Sequence, residues 1–532
     1  MDRSTRIKRY HVPTLNDTET LADTVPFKIE WSYGWNLTMG LKIIVNDKSK
    51  KNQKKLQMFY ASTHVGIISE YNIETKKTQM KILNGHNNFI SSFDVSTNGR
   101  WLVTADNGHD SVLVVWEIAQ GTPIFTAFLP PNVGVVAVKF SINSKYLVTV
   151  SSTLDSGAQS IGLWDWTSGA EEPKHSAQLG AETDPVLHIA TCPNRSNFYC
   201  FTTKKMIVFL TVDKVDDKTV LAVHNPGLDP EQKEHQYTQS VYITNFRQVL
   251  SASTGGNVSV WDDYDYNSLE ITETPIKNEK RLLKTVRLQN CAINTIICQK
   301  VIMTGNANGD IFFYDKTLRI LYHLKKFVGD SIVSISMLTS IDKCTEIDTI
   351  EEPVQCVNSR KKKCAGPDNA KDFAIPNEPQ LKFDSFVLST GNGRIILVEV
   401  ADQNFIQIQE PCDGSVTSST VHPEQTFIVF GSSLGRLNMY NYHDKQFLIS
   451  YVIASDHQPP SDSRYITNIE FSPKGKYYYF VNSHRRDCFR YRFLLVLRHG
   501  RRIFLVSQSL SVDTNHPGAV QIGQHRNQSH HF

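Results

Sequence analysis

An all-β chain, one small sheet repeated around a ring as a β-propeller, is the fold class predicted by three features of this 532-residue sequence. The first is a recurring spacing: Gly66 stands five residues before Tyr71, Gly256 five before Trp261, Gly309 five before Tyr314 and Gly435 five before Tyr440. Gly393 holds the same place before Val398, where a smaller apolar residue replaces the aromatic. The second is that short apolar runs come in pairs. One ends in small residues (WLVTA, QVLSAS, VIMTG, FVLSTG, FIVFGS), and another precedes it (ISSFDV, AINTII, VTSSTV). The third is a period: Tyr71, Trp116, Trp164, Trp261 and Tyr314 are separated by one or two lengths of a unit of roughly 40–50 residues.

Turn and strand chemistry explain each unit. Glycine in an Asn-Gly or Gly-Gly pair accepts the positive φ of a tight hairpin turn, and alternation then sets the faces of the outgoing strand. Each unit reads as three consecutive strands and a less regular outer one. In order, the units fall near 57–80, 84–125, 132–170, 184–222, 238–272, 288–325, 329–402, 411–448 and 463–482. The first recruits a strand from 26–46, and the fourth, lacking an aromatic marker, is read from Leu187 to Val212. The seventh contains an insertion, 341–380, with the run Arg360-Lys361-Lys362-Lys363; its composition cannot bury a core and predicts a disordered loop. Seven units over 26–402 make a ring, and 403–483 begin a second, incomplete one. The expected flanks are a flexible segment, 1–25, and a divergent, disordered tail, 484–532, that interrupts the ninth unit.

The segment from Asn84 to Ile118 opens with Gly85-His86 and reaches Trp116-Glu117. A four-stranded unit with Gly-His near its start and an aromatic-acid pair after its third strand resembles the WD40 propeller blade. Trp164-Asp165, Trp261-Asp262 and Tyr314-Asp315 are further such pairs. The resemblance implies a structural hydrogen-bonded tetrad of His86, Thr104, Asp110 and Trp116, with Asp110 six residues before the tryptophan. Gly255 and Asn308 stand where that aspartate would be in two other units, which predicts greater reliance there on apolar packing between sheets.

Composition narrows the function classes. Hydrophobic residues make up 40% and charged residues 20%, and the net charge of +3 is spread along the chain, unlike the concentrated basic face of a nucleic-acid binder. No apolar run approaches a membrane span, and the N-terminus lacks the apolar core of a signal peptide, so a cytoplasmic location is expected. The nine cysteines form no CxxC pair and read as reduced, ordinary thiols, with no metal site expected. Asp263, Asp265 and Asn267 begin like a calcium loop, but Ser268 and Thr274 occupy the positions that need Gly and Glu. No cofactor, catalytic residue or small-molecule substrate is predicted.

A narrower resemblance lies in LADTVPFKIEWSYGWN, from Leu21 to Asn36, which is similar to the segment leading into the first propeller of the cilia- and flagella-associated protein 251 family (WD repeat-containing protein 66). It continues through HDSVLVVWE, TGNANGDIFFYD and VHPEQTFIVFGSSLGRLNMYNY, covering about residues 21–480. A Trp-x-Tyr-Gly segment before a tandem propeller also occurs in echinoderm microtubule-associated-like proteins. The resemblance implies a non-catalytic scaffold in the axoneme of motile cilia and sperm flagella. Its implied partners are radial spoke proteins and the calmodulin- and spoke-associated complex. The modest positive charge permits a contact with tubulin's acidic tails. A WD40 adaptor in another assembly, microtubule-associated or a ubiquitin ligase receptor, is the alternative reading, because a propeller fold alone does not give a function.

Overall fold

Among the described residues, nine antiparallel sheets follow one another along the chain, each built from strands consecutive in sequence. They form blades 1 to 9, spanning 42–84, 90–128, 135–179, 186–224, 237–287, 293–325, 332–409, 416–452 and 465–523. Eight blades have four strands, and the ninth has five. This computed structural model describes residue 29, residues 31–44 and, with several breaks, 55–338, 385–452 and 465–523. Among the described residues the one helical element is the short turn Trp166–Ser168.

Strand alternation gives each blade two apolar faces. In blade 2, Leu102, Val112, Val114 and Trp116 meet blade 1, and Val103, Ala105, Leu113 and Val115 meet blade 3. The same two-faced packing continues from blade to blade as far as blade 7. Blade 7 then turns back to the start: its Val387, Ile395 and Leu397 pack on Leu41, Ile43, Met58 and Ile67 of blade 1. The first seven blades thus form a closed ring.

Polar links between inner strands repeat this closure. Ser92 Oγ and Asp94 Oδ2 of blade 2 each accept an N–H from blade 3, from Val138 and Phe140, both at 3.0 Å. Ser334 and Ser336 of blade 7 do the same for Leu41 and Ile43 of blade 1, at 3.1 and 2.9 Å. Without these oxygens the N–H groups of the two-residue strand Lys42–Ile43 and its neighbour would lack their interblade acceptors.

Three expectations need correction or limits. The seventh blade does not end at 402, because its outer strand is Asn404–Gln409. The divergent tail was expected to be disordered. Instead Arg490–His499, Arg502–Val512 and Val520–Gly523 are strands that complete blade 9, consistent with the β-branched and aromatic content of RYRFLLVLRH and RIFLVSQSLSV. The segment 1–25, the insertion 341–380 and the calcium-like run 263–274 lie outside the described residues.

Replacing both Ser334 and Ser336 with alanine should lower stability by about 1–3 kcal/mol, the cost of leaving buried backbone donors without acceptors. Denaturant unfolding measures this, and an unchanged midpoint would mean that closure does not use these hydroxyls.

Candidate functional site

The polar tetrad forms in blade 2, with one member different from the expected set. Trp116 Nε1 donates to Thr104 Oγ1 at 2.8 Å, and Thr104 Oγ1 lies 2.7 Å from His86 Nε2. His86 Nδ1 meets Oδ2 of Asp106, not Asp110, at 3.0 Å, and Asp106 Oδ1 accepts the Val112 N–H at 2.8 Å. With Trp116 donating to the threonine oxygen, its hydroxyl proton is free to point at His86 Nε2, which leaves Nδ1–H for the carboxylate. Gly85 belongs to the same unit, since a Cβ there would sit 2.8 Å from the Trp116 ring. The Gly-His start and the aromatic end of this stretch are therefore packed on each other.

Asp110 is excluded by geometry. It lies in the loop between the second and third strands at φ 54°, and its carboxylate pairs with exposed His109 at 2.9 Å. Asp106 ends the second strand two residues after Thr104, so the two share a face. A six-residue spacing from the tryptophan finds the wrong acid because this loop is longer than a tight turn.

Blade 6 carries a complete amide version. Gln289 Nε2 donates to Thr304 Oγ1 at 2.7 Å and approaches Tyr314 Oη at 3.2 Å. Asn306 Nδ2 donates to Gln289 Oε1 at 3.1 Å, while Asn306 Oδ1 accepts the Asn308 and Asp310 N–H groups at 3.0 and 2.8 Å. Position 306, not 308, is the equivalent of the aspartate, and this blade does not depend on apolar packing alone. The proton direction is reversed: histidine donates to the acid in blade 2, whereas asparagine donates to glutamine in blade 6. Blades 3 and 5 keep a shorter link, Trp164 Nε1 to Thr149 at 2.9 Å and Trp261 Nε1 to Ser251 at 3.0 Å.

The other marker residues divide into two groups. Gly256, Gly309, Gly393 and Gly435 adopt φ between 79° and 89°, and each N–H bonds the carbonyl three residues earlier. They sit at the left-handed position after a four-residue turn and not at the centre of a two-residue one. Gly66 is different: it lies inside the strand Val65–Asn72, where a Cβ would press on Phe59, and Thr63 at φ 54° makes the turn instead. Tyr71 and Tyr440 are buried. Asp262 is buried beside Gln248, whose Nε2 donates to it at 3.0 Å, and Asp315 caps a turn by accepting the Thr317 and Arg319 N–H groups.

The residues Trp31 to Trp35 form an aromatic strap. Gly34 at φ 84° turns the chain so that the rings on either side go to different places. Trp35 enters the junction of blades 1 and 7, where it approaches Tyr60 and its Nε1 reaches the Gly393 carbonyl at 3.5 Å. Tyr33 stacks on Phe430 of blade 8 at 4.0 Å, Asn438 Nδ2 donates to its hydroxyl at 2.9 Å, and Trp31 adds contacts to Phe430 and Tyr440. Val429 and Leu437, on the opposite face of blade 8, pack on Ile466 and Ile469 of blade 9. The strap thus ties the closed ring to the blades that follow it. Among the described residues, no group of three or more His, Cys, Asp or Glu side chains has metal-binding geometry.

A family model, the CFAP251 N-terminal domain, matches residues 27–403, which include the strap and nearly all of the ring. The chain belongs to the CFAP251 family. It is 27% identical over 449 residues to cilia- and flagella-associated protein 251 of Pongo abelii, covering 81% of this chain and 35% of that protein. The protein of the same name from Mus musculus is 27% identical, over 82% of this chain and 31% of the relative. The Tetrahymena thermophila protein is 26% identical, over 84% and 44%. The chain therefore spans between 31% and 44% of the length of these CFAP251 relatives.

Two variants separate the tetrad from its neighbour. Asp106→Ala should cost about 2–3 kcal/mol by leaving His86 and the Val112 N–H without their buried acceptor, whereas Asp110→Ala should stay within about 0.5 kcal/mol. Equal costs in thermal unfolding would contradict the Asp106 assignment. For the strap, Tyr33→Ala should speed amide hydrogen exchange in 416–452 by about tenfold or more while exchange in blades 2 to 6 is unchanged. Uniform exchange across all blades would show that Tyr33 does not secure blade 8.

Proposed function

We propose that the chain is a non-catalytic propeller scaffold of the motile cilium or flagellum. It works in the axoneme with the calmodulin- and spoke-associated complex and supports radial spoke assembly, and through it cilium and sperm motility. The carrying observation is the match of 27–403 to the CFAP251 N-terminal domain, whose relatives are named as cilia- and flagella-associated proteins. The chemistry of the ring supports the reading. His86, Asp106, Gln289 and Asn306 are buried in hydrogen bonds that join strands within a blade, so their polar atoms are occupied in holding shape. A closed ring of sheets offers rigid loops at fixed separations, which suits protein contacts. Radial spoke proteins are the partners of this reading, and tubulin's acidic tails are a further contact.

The test is fractionation of cells bearing motile cilia or flagella. The tagged chain should stay with the detergent-extracted axoneme and be released by salt together with radial spoke proteins. Recovery in the detergent-soluble cytosol, or with ubiquitin ligase subunits, would overturn the reading.

A further inference from the structure

The inner strands of blades 1 to 7 surround the axis of the ring, and their ladders place equivalent residues on shared rungs. One rung carries Lys42, Asp94 and Lys139 on blades 1 to 3, followed by Ala190, Val241 and Ile297 on blades 4 to 6. Charge is therefore confined to one side of the axis. Asp94 Oδ1 lies 2.6 Å from Lys42 Nζ and 3.0 Å from Lys139 Nζ, and its other oxygen holds the Phe140 N–H. The Asp94 side chain is 4% exposed, whereas Lys42 and Lys139 keep 37% and 24%. The carboxylate is covered and both ammonium stems reach solvent. Burial lowers the Lys42 pKa and the adjacent Asp94 carboxylate works against that; with both lysines protonated, two cations and one anion leave a single positive charge.

His188, on the adjoining rung of blade 4, supplies a second and independent feature. The Ile296 N–H donates to Gln239 Oε1 at 3.0 Å, which fixes the orientation of that amide. Gln239 Nε2 must then donate to His188 Nε2, 3.3 Å away, so the neutral imidazole carries its proton on Nδ1. That Nδ1 is buried and has no hydrogen-bond partner among the described residues. Burial, with help from the Lys139 and Lys42 charges and against that of Asp94, pushes the His188 pKa down to about 3. At neutral pH the ring is thus an uncharged N–H donor lying within the field of two lysines.

We propose that this side of the ring axis binds a carboxylate, held between the Lys42 and Lys139 ammonium groups and the His188 Nδ1–H. A carboxylate matches the site in charge, since one negative charge meets one net positive charge. It also matches in acceptors, since one oxygen can face the ammonium groups while the other takes the unpaired imidazole proton. The carboxylate can belong to a small free acid or to an Asp or Glu side chain of an acidic protein segment entering the ring. This site is independent of the scaffold reading and adds a ligand class to it.

The experiment uses the full chain with nitrogen-15 histidine, the His188 signals being those lost in His188→Gln. Glutarate and a hexaglutamate peptide are titrated separately at constant ionic strength. The expected result is a saturable shift of the His188 Nδ1 signal, with binding about tenfold weaker in Lys139→Met. Tighter binding of glutarate identifies a free small acid as the source, and tighter binding of the peptide identifies a protein segment; either outcome supports the site. Absence of a saturable His188 shift with both probes in the unsubstituted chain overturns the proposal, whether or not the variants fold. Equal affinity in folded Lys139→Met would do the same.

Discussion

The ring depends on how one inner strand meets the next. Successive inner strands come from different sheets and do not continue one another's ladders, so they meet through side-chain oxygens instead. Ser92, Asp94, Gln239, Ser334 and Ser336 each accept a backbone N–H from the following blade. A second set points in the other chemical direction: Ser91, Thr238 and Asn294 donate to the Val135, Ile293 and Ile332 carbonyls of the next blade. Apolar packing brings the sheets together without specifying height or rotation. Directional bonds to backbone groups fix both, because a blade that slipped by one residue would leave buried N–H groups unpaired.

This division of labour explains how blades with such different interiors fit in one ring. Blade 2 buries a histidine–aspartate pair, blade 6 buries two amides, and blade 4 has Phe201 and Leu210 at the positions of Thr104 and Trp116. A buried polar network stabilises only when complete, and both polar blades satisfy their members. Where blade 6 has the amide Asn306 at the aspartate position it also has an amide, Gln289, at the histidine position, and the proton on the link comes from the other partner. The outer surface of a blade can therefore persist while its interior changes chemistry, provided the interior changes as a set.

The fold was legible because strand alternation recurs from unit to unit and turn glycines mark several of them, at Gly256, Gly309, Gly393 and Gly435, so each repetition supports the others. The candidate site was less so. Asp110 sits at the spacing from Trp116 that the WD resemblance implies, but the loop before the third strand is long, and only the face shared with Thr104 identifies Asp106. Counting two residues from the threonine would have found Asp106 and Asn306 alike. Gly66 keeps the spacing of the turn glycines while serving a different need, room for the Phe59 ring. The tail seemed too divergent for order, yet its alternating apolar runs pair with blade 9. Lys42, Asp94, Lys139 and His188 gave no signal at all, because strand positions far apart in sequence meet only when the ring closes.

The strap shows why WSYGWN is distinctive although it belongs to no blade. Blade 7 has spent both faces on blades 6 and 1, so it cannot hold blade 8 by the packing used everywhere before. The backward face of blade 8, with Phe430, Asn438 and Tyr440, is met by Trp31 and Tyr33 from the far end of the chain. Trp35, two residues on, is fixed in the junction that closes the ring. One short segment thereby reads two facts at once: that the first ring has closed and that another unit follows. Aromatic residues suit the task, since each buries a large area with few rotatable bonds to order, and the tyrosine hydroxyl and indole N–H add direction. Without Trp31 and Tyr33 the backward face of blade 8 would lose the rings that cover it and the hydroxyl that accepts the Asn438 amide proton.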